Sequence, residues 1–173
     1  ISDGVYQRFE SQFIMMRKLE QSNNVSDINI EDIRIVSVEN DGNFYILHVS
    51  ISASNTDYFE SKKYSELNSG GYEEYTEYWT FVKKVNSNSN FNLFGATNCP
   101  NCGDSIENKL GEVSKCPSCG TQINNGDYDW ILSEITQPEE FASNYAQLKT
   151  RKNFYNRLKE KGYSSSEFSP QYI

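Results

Sequence analysis

Ile33-Arg34-Ile35-Val36-Ser37-Val38-Glu39-Asn40-Asp41-Gly42-Asn43-Phe44-Tyr45-Ile46-Leu47-His48-Val49-Ser50-Ile51 is the stretch on which the fold turns. From Asn29 the pattern has a period of two, with Ile33, Ile35 and Ser37 alternating against Arg34, Val36 and Val38. Phe44 to Ala53 alternates in the same way. An Asp-Gly between two period-two runs predicts an antiparallel hairpin, because its tight turn needs positive φ and its twist matches that of the strands. The hairpin also places His48 on one strand face with Phe44, Ile46 and Ser50.

Toward the N-terminus the period lengthens. Val5, Phe9, Phe13 and Met16 recur at three or four residues, with Ile14 and Leu19 beside them. This predicts an amphipathic helix capped by Ser2 or Asp3 and running to about Gln21, then a polar turn at Ser22-Asn23-Asn24. Toward the C-terminus, residues 54 to 71 read as a polar loop ending in Ser69-Gly70-Gly71, with an irregular edge segment around Tyr58 to Tyr64. A third strand follows from about Tyr72 to Val85, rich in the aromatic and β-branched types favoured on half-buried pleated surfaces. The acids Glu73, Glu74 and Glu77 read as a solvated strand edge that discourages pairing with other chains.

Asn86 to Asn90 reads as a low-complexity linker. Asp127 to Ile135 reads as a further strand, with Tyr128, Trp130 and Leu132 on one face and Ile131 and Ile135 on the other. Thr136 and Glu139 suggest a capping box, with Pro138 in the first turn of a helix through Phe141, Tyr145 and Leu148. The Ser164-Ser165-Ser166 run suggests fraying or disorder. Helices at both ends and antiparallel strands between them define an α+β class.

Cys99-Pro-Asn-Cys102-Gly and Cys116-Pro-Ser-Cys119-Gly are two copies of one knuckle, with 13 residues between Cys102 and Cys116. In each copy a tight turn brings two thiolates together, and the following glycine accepts the left-handed backbone that aims amide N–H groups at sulfur. Four thiolates suit a closed, structural, tetrahedral zinc site with one Zn2+ and no open position for chemistry. Two alternatives stand beside zinc: iron in the same knuckles, or two strained Cys-x-x-Cys disulfides. Between the knuckles only Ile106, Leu110 and Val113 are sizeable apolar residues, so a metal ion has to hold the module.

The chain has 173 residues, a net charge of -8 and 36% hydrophobic residues, which suits one ordinary core plus a small module. The acidic balance argues against a general nucleic-acid binder, which needs clustered cations over a broad face. The ribbon itself carries only Lys109 and Lys115 against Asp104, Glu107 and Glu112. A local basic cluster, Lys149, Arg151, Lys152, Arg157, Lys159 and Lys161, reads as a solvated face or tail, with anionic headgroup contact as the alternative. No stretch has the run of apolar residues that a membrane-spanning helix needs, and there is no secretory leader. The start at Ile1 suggests a piece cut from a longer protein.

Tyr75-Thr-Glu-Tyr-Trp-Thr-Phe-Val82 and Asp129-Trp-Ile-Leu-Ser-Glu-Ile135, in that order and with the knuckles between them, resemble a known family. They are similar to the C-terminal domain of the mitochondrial import-motor tether, the inner-membrane translocase subunit forty-four, in a bacterial version with an inserted zinc ribbon. The resemblance covers about residues 1 to 137. It implies a cone-like fold of the nuclear-transport-factor-two type, in which a curved antiparallel sheet wraps packed helices around an apolar pocket. It also implies a domain peripheral to a membrane that holds lipid or protein partners. The expected organisation is 1–90 and 127–148 as the two parts of the α+β domain, 91–126 as the ribbon and 149–173 as a basic tail.

The function expected from this reading is non-catalytic binding or tethering, with no catalytic residues. Phe9, Phe13, His48, Tyr78, Trp79 and Trp130 are candidate pocket residues, and Cys99, Cys102, Cys116 and Cys119 are the metal ligands. The alternative is a small-molecule enzyme that pairs His48 with a pocket carboxylate, with Asp57, Asp127 and Asp129 read instead as strand ends or solvated groups. A third reading makes the exposed knuckle or Leu110 a protein contact. Thiolate ligands favour a reducing compartment, so the expected location is membrane-associated and facing the cytoplasm.

Overall fold

Four antiparallel strands and two long helices make up the computed structural model, which describes residues 1–87, 91–106 and 115–160. The order is α1 (Asp3–Lys18), β1 (Gln21–Asn40), β2 (Phe44–Ser61), β3 (Ser69–Lys84), β4 (Ile131–Thr136) and α2 (Pro138–Glu160). The strands follow one another in the sheet as β1-β2-β3-β4. One compact unit ends at Thr136, and a second begins at Gln137 with α2.

Ser2 caps α1, its Oγ accepting from the Val5 amide at 3.3 Å, while Asp3 and the pair Arg17 and Lys18 sit at the helix ends their charges favour. The helix stops at Lys18, and Glu20 with φ 48° turns the chain directly into β1. Ser22, Asn23 and Asn24 are therefore strand residues opposite Glu60, Phe59 and Tyr58, not a turn. Pairing with β2 satisfies their backbone groups and overrides their turn preference.

The same pairing carries β2 through Ser61, so residues 54 to 61 are strand where a loop was expected. Gly70 and Gly71 begin β3 rather than ending a loop. Gly70 has φ 130°, and a Cβ there would collide with the Asp57 carbonyl, so only glycine fits this crossing. The Asn40 to Asn43 turn is as expected: the Asp41 carboxylate accepts from the Asn43 amide at 2.8 Å and the Phe44 amide at 2.7 Å.

Residues paired across a sheet share a face, and this sorts the two surfaces. Ile30, Ile33, Ile35 and Val38 on β1 align with Ala53, Ile51, Val49 and Leu47 on β2, then with Tyr75, Glu77, Trp79 and Phe81 on β3. The opposite face is polar, with Arg34, Ser37, His48, Ser50, Ser52, Thr76, Tyr78 and Thr80. Irregularities between Ser26 and Asn29, Ile30 and Asp32, and Ile35 and Ser37 shift β1 against its partner. The last of these puts Val38, not Ser37, with Ile33 and Ile35.

A similar shift between Thr80 and Phe81 sets Leu132 opposite Phe81 and Ile135 opposite Trp79. Leu132 and Ile135 thus share the apolar face, whereas strict alternation had grouped Ile135 with Ile131. The buried apolar residues of the strands are Val49, Ala53, Ile131 and Leu132, while the apolar side chains of β1 stay exposed, Ile35 at 68%. β4 pairs with Tyr78 to Val82 only, so Glu73 and Glu74 lie on a stretch of β3 with no strand on that side among the described residues.

α1 seals the outer edge of β4. The Ser2 amide donates to the Leu132 carbonyl at 2.8 Å, Ser2 Oγ to Ser133 at 3.5 Å and Arg8 Nη1 to Ile135 at 3.0 Å. At its other end the Leu19 carbonyl accepts from Ser61 Oγ at 2.7 Å, and that of Glu20 from the Lys62 amide at 3.1 Å. Between these two anchors Phe9 and Phe13 stack on each other, 39% and 51% exposed.

In the second unit, Pro138 opens α2 in the first turn, where its missing N–H costs nothing. Thr136 completes β4 instead of capping the helix, its hydroxyl donating to the Tyr78 carbonyl. Phe141 and Tyr145 stack, and the Lys149 ammonium lies 4.8 Å above the Tyr145 ring. The helix continues past Leu148 through the basic stretch to Glu160. Leu110, Val113, Glu107, Lys109, Glu112, Asn88 to Asn90, Lys161 and Ser164 to Ser166 lie outside the described residues.

Candidate metal centre

Each knuckle folds on itself in the same way. In the first, the Cys99 amide donates to the Asp104 carbonyl and the Gly103 amide to that of Cys99. In the second, the Cys116 amide donates to Thr121 and the Gly120 amide to Cys116. Gly103 and Gly120 have φ 78° and 71°, the left-handed backbone that the knuckle requires. Short bridges between Asn98 and Ser105 and between Lys115 and Gln122 close the two loops.

This brings the four sulfurs within 4.8 Å of one another. The Cys99–Cys119 and Cys102–Cys116 sulfur separations are both 3.8 Å. Thiolates placed about 2.3 Å from a central ion at the corners of a tetrahedron lie about 3.8 Å apart. A disulfide needs about 2.05 Å, and all four cysteines are free. The four sulfurs therefore have a geometry that could hold a metal ion.

Hydrogen bonds prepare the sulfurs for that charge. The Asn101 amide donates to Cys99 Sγ at 3.4 Å, and Asn101 Nδ2 reaches across to Cys119 Sγ at 3.6 Å. The Thr121 hydroxyl, followed by its amide and Asn101, holds the Cys119 thiol down at about 6. The Cys119 amide, helped by that of Ser118, lowers Cys116 despite its burial. The Asp104 amide pulls Cys102 the same way, but burial and the crowd of three neighbouring thiols push it up to about 12. Four thiolates at this spacing repel one another unless a cation sits among them.

Beneath the sulfurs, Ile106 and Ile123 are each 1% exposed and pack with Cys99 and Cys116, flanked by Leu93 and Ala96. Ile123 lies beyond the second knuckle and was not singled out from the sequence. Nor were Asn101, Thr121 and Asn124, since polar residues near cysteines carry no pattern of their own. The module hangs from the β3–β4 connection, where the Lys84 amide donates to the Gly126 carbonyl at 2.9 Å and the Lys84 ammonium pairs with Asp127 at 2.7 Å. Lys84 holds the Asp127 carboxyl below its usual range. Asp129 accepts from the Leu93 amide at 2.9 Å, so both aspartates brace the module's base. Asp57, by contrast, lies inside β2 opposite Val25 and Gly71, not at a strand end.

The six candidate pocket residues are spread over both sheet faces, α1 and the segment before β4. His48 and Tyr78 belong to the polar face, and Trp79 to the apolar one. Phe9 and Phe13 lie on α1, and Trp130 precedes β4. His48 is buried, with Nδ1 2.9 Å from Thr80 Oγ1.

An α+β domain with a four-cysteine module between its last two strands is the class that fold and site define. Residues 1–98, more than half of the chain, match the Tim44-like domain, and the chain belongs to that family. The match stops one residue short of Cys99, well before the 137 residues expected, and leaves the cysteines and β4 outside it. No curated protein and no solved structure matches the chain.

Proposed function

We propose that this is a non-catalytic tethering domain that holds a lipid surface or a protein partner beside a membrane. The observation that carries the reading is the family membership over residues 1–98 together with the exposed apolar groups of α1 and β1, Phe9, Phe13, Ile30, Ile33, Ile35 and Val38. Large apolar side chains left open in this number, four of them along one face of β1, are a mark of interaction. Phe9, Phe13 and Trp79 are the pocket candidates that this reading keeps. The long strands with their three irregularities in β1 suit a strongly bent sheet, and we assign it the cone-like form of the nuclear-transport-factor-two type.

In the same reading residues 91–126 form a zinc ribbon set into the domain, with one structural Zn2+ held by Cys99, Cys102, Cys116 and Cys119. The ion would supply cohesion to a module with few buried apolar residues and no chemistry. Free thiolate ligands fit a reducing, cytoplasm-facing location, and the charge of -8 disfavours nucleic acid. His48, already engaged with Thr80 on the face away from Trp79, makes a poor general base.

Vesicle flotation tests the tethering reading. The chain should float with vesicles containing an anionic phospholipid, and the double variant Ile33→Asp, Ile35→Asp should not, with circular dichroism unchanged. Equal behaviour of the two proteins would refute the role of this surface. Native mass spectrometry tests the ribbon: one zinc with four thiols is expected, and a metal-free species four hydrogens lighter would overturn it.

A further inference from the structure

Asn124 ties the cysteine module to the first turn of α1. Its Nδ2 donates to the Ile1 carbonyl at 3.1 Å and to Asp3 Oδ1 at 2.8 Å. It directly follows Ile123, which is fully buried among Cys99, Cys116 and Ile106. Between the two residues that Asn124 grips stands Ser2, which caps α1 and also plugs the edge of β4 through its amide and hydroxyl. Contiguous contacts thus run from the sulfurs through Ile123 and Asn124 to the helix cap and the sheet edge.

The end of α1 held in this way is its buried end. Val5 is 6% exposed, while Phe9 and Phe13, one and two turns further along the same side, become steadily more open. A helix that buries so little of its own surface gains most of its order from its anchors. The module in turn gains most of its order from the ion.

We propose that the cysteine module is a metal-dependent latch on the first turn of α1, closed by the side-chain amide of Asn124 against Ile1 and Asp3. Bound metal orders Ile123 and fixes Asn124, whereas loss of metal frees the turn and uncovers Val5 and the outer edge of β4. The coupling is reciprocal, so a released helix cap weakens metal binding by the same factor that metal strengthens the cap. The latch rests on the metal reading above and adds to it a route by which metal or thiol status alters the apolar surface of α1.

Amide hydrogen exchange on the full chain, read beside its zinc content, tests this. Chelation should speed exchange at Val5 to Phe9 by about tenfold or more, while Leu47 to Ile51 at the sheet centre stay protected. Asn124→Asp sets a second carboxylate against Asp3 and should speed exchange at the same amides with zinc still bound. Adding Asp3→Asn to that variant restores a donor and acceptor pair and should recover part of the protection. If zinc-loaded Asn124→Asp exchanges like the parent, or chelation leaves Val5 to Phe9 untouched, there is no latch. A chain that takes up no zinc overturns the metal centre and the latch with it, and the metal content separates that outcome from the others.

Discussion

His48 Nδ1 lies 2.9 Å from Thr80 Oγ1, both side chains buried within the polar face of the sheet and directly opposed across β2 and β3. Burial holds the imidazole below its ordinary value of 6.5, against the opposing pull of Glu39 and Glu134. The folded chain therefore resists protonation more than the unfolded chain does. The resulting stability is fully present above about pH 6.5 and declines as pH falls through that value toward the lower folded one. Urea unfolding at pH 7.5 and pH 5.5 should show this loss in the parent and a smaller one in His48→Gln. Identical losses in both would remove His48 as the cause.

Thr121→Ala removes the hydroxyl that does most to lower Cys119. The thiol pKa should rise, so protons compete with metal at a higher pH. Zinc affinity at neutral pH is expected to fall by about 10- to 100-fold, as for other groups that support a ligand. A zinc competition titration measures it, and an unchanged midpoint would mean that the hydroxyl contributes nothing.

Cys116→Ser and Cys102→Ser should each abolish tight zinc binding, although Cys116 is buried and Cys102 exposed. Limited proteolysis should then cut the module while β2 and β3 remain intact, because the sheet shares little of its burial with the sulfurs. Survival of the module in either variant would show that Ile106 and Ile123 hold it unaided.

Ile131→Ala opens a cavity under a side chain 1% exposed at the start of β4. A loss of about 2 to 4 kcal/mol is expected by denaturant unfolding. Gly70→Ala should be at least as harmful at its size, because the added methyl meets the backbone of Asp57 rather than a side chain that can move. A neutral result at Gly70 would contradict the tight crossing of β2 and β3.

The hairpin at Asn40 to Asn43, the amphipathic N-terminal helix and the twin knuckles were all legible, because each depends on neighbours in sequence. What escaped depends on partners far along the chain. Ser22 to Asn24 look like a turn until Tyr58 to Glu60 pair with them, and residues 54 to 61 look like a loop for the mirror-image reason. Periodicity cannot register an irregularity, so it misplaced Val38 and Ile135 by one face each. The candidate pocket set, drawn from the aromatic residues and the resemblance, joined His48 with Trp79, although they lie on opposite sides of the sheet. At the cysteine cluster the four residues that come together were plain from spacing, whereas Asn101 and Thr121 matter only through where the fold carries them.

The Lys84 amide and the Gly126 carbonyl, 2.9 Å apart, are the two stems of everything carried between β3 and β4. Gly126 permits that approach, since any side chain there would press on the Lys84 nitrogen. Chain ends that already meet bear little entropic cost for what hangs between them, so length at this port is nearly neutral to the sheet. Chain of a different length can join these two residues without redesigning the strands. A short turn joining Lys84 to Gly126 would return the sheet to its unadorned state, at the expense of the grip that Asn124 has on α1.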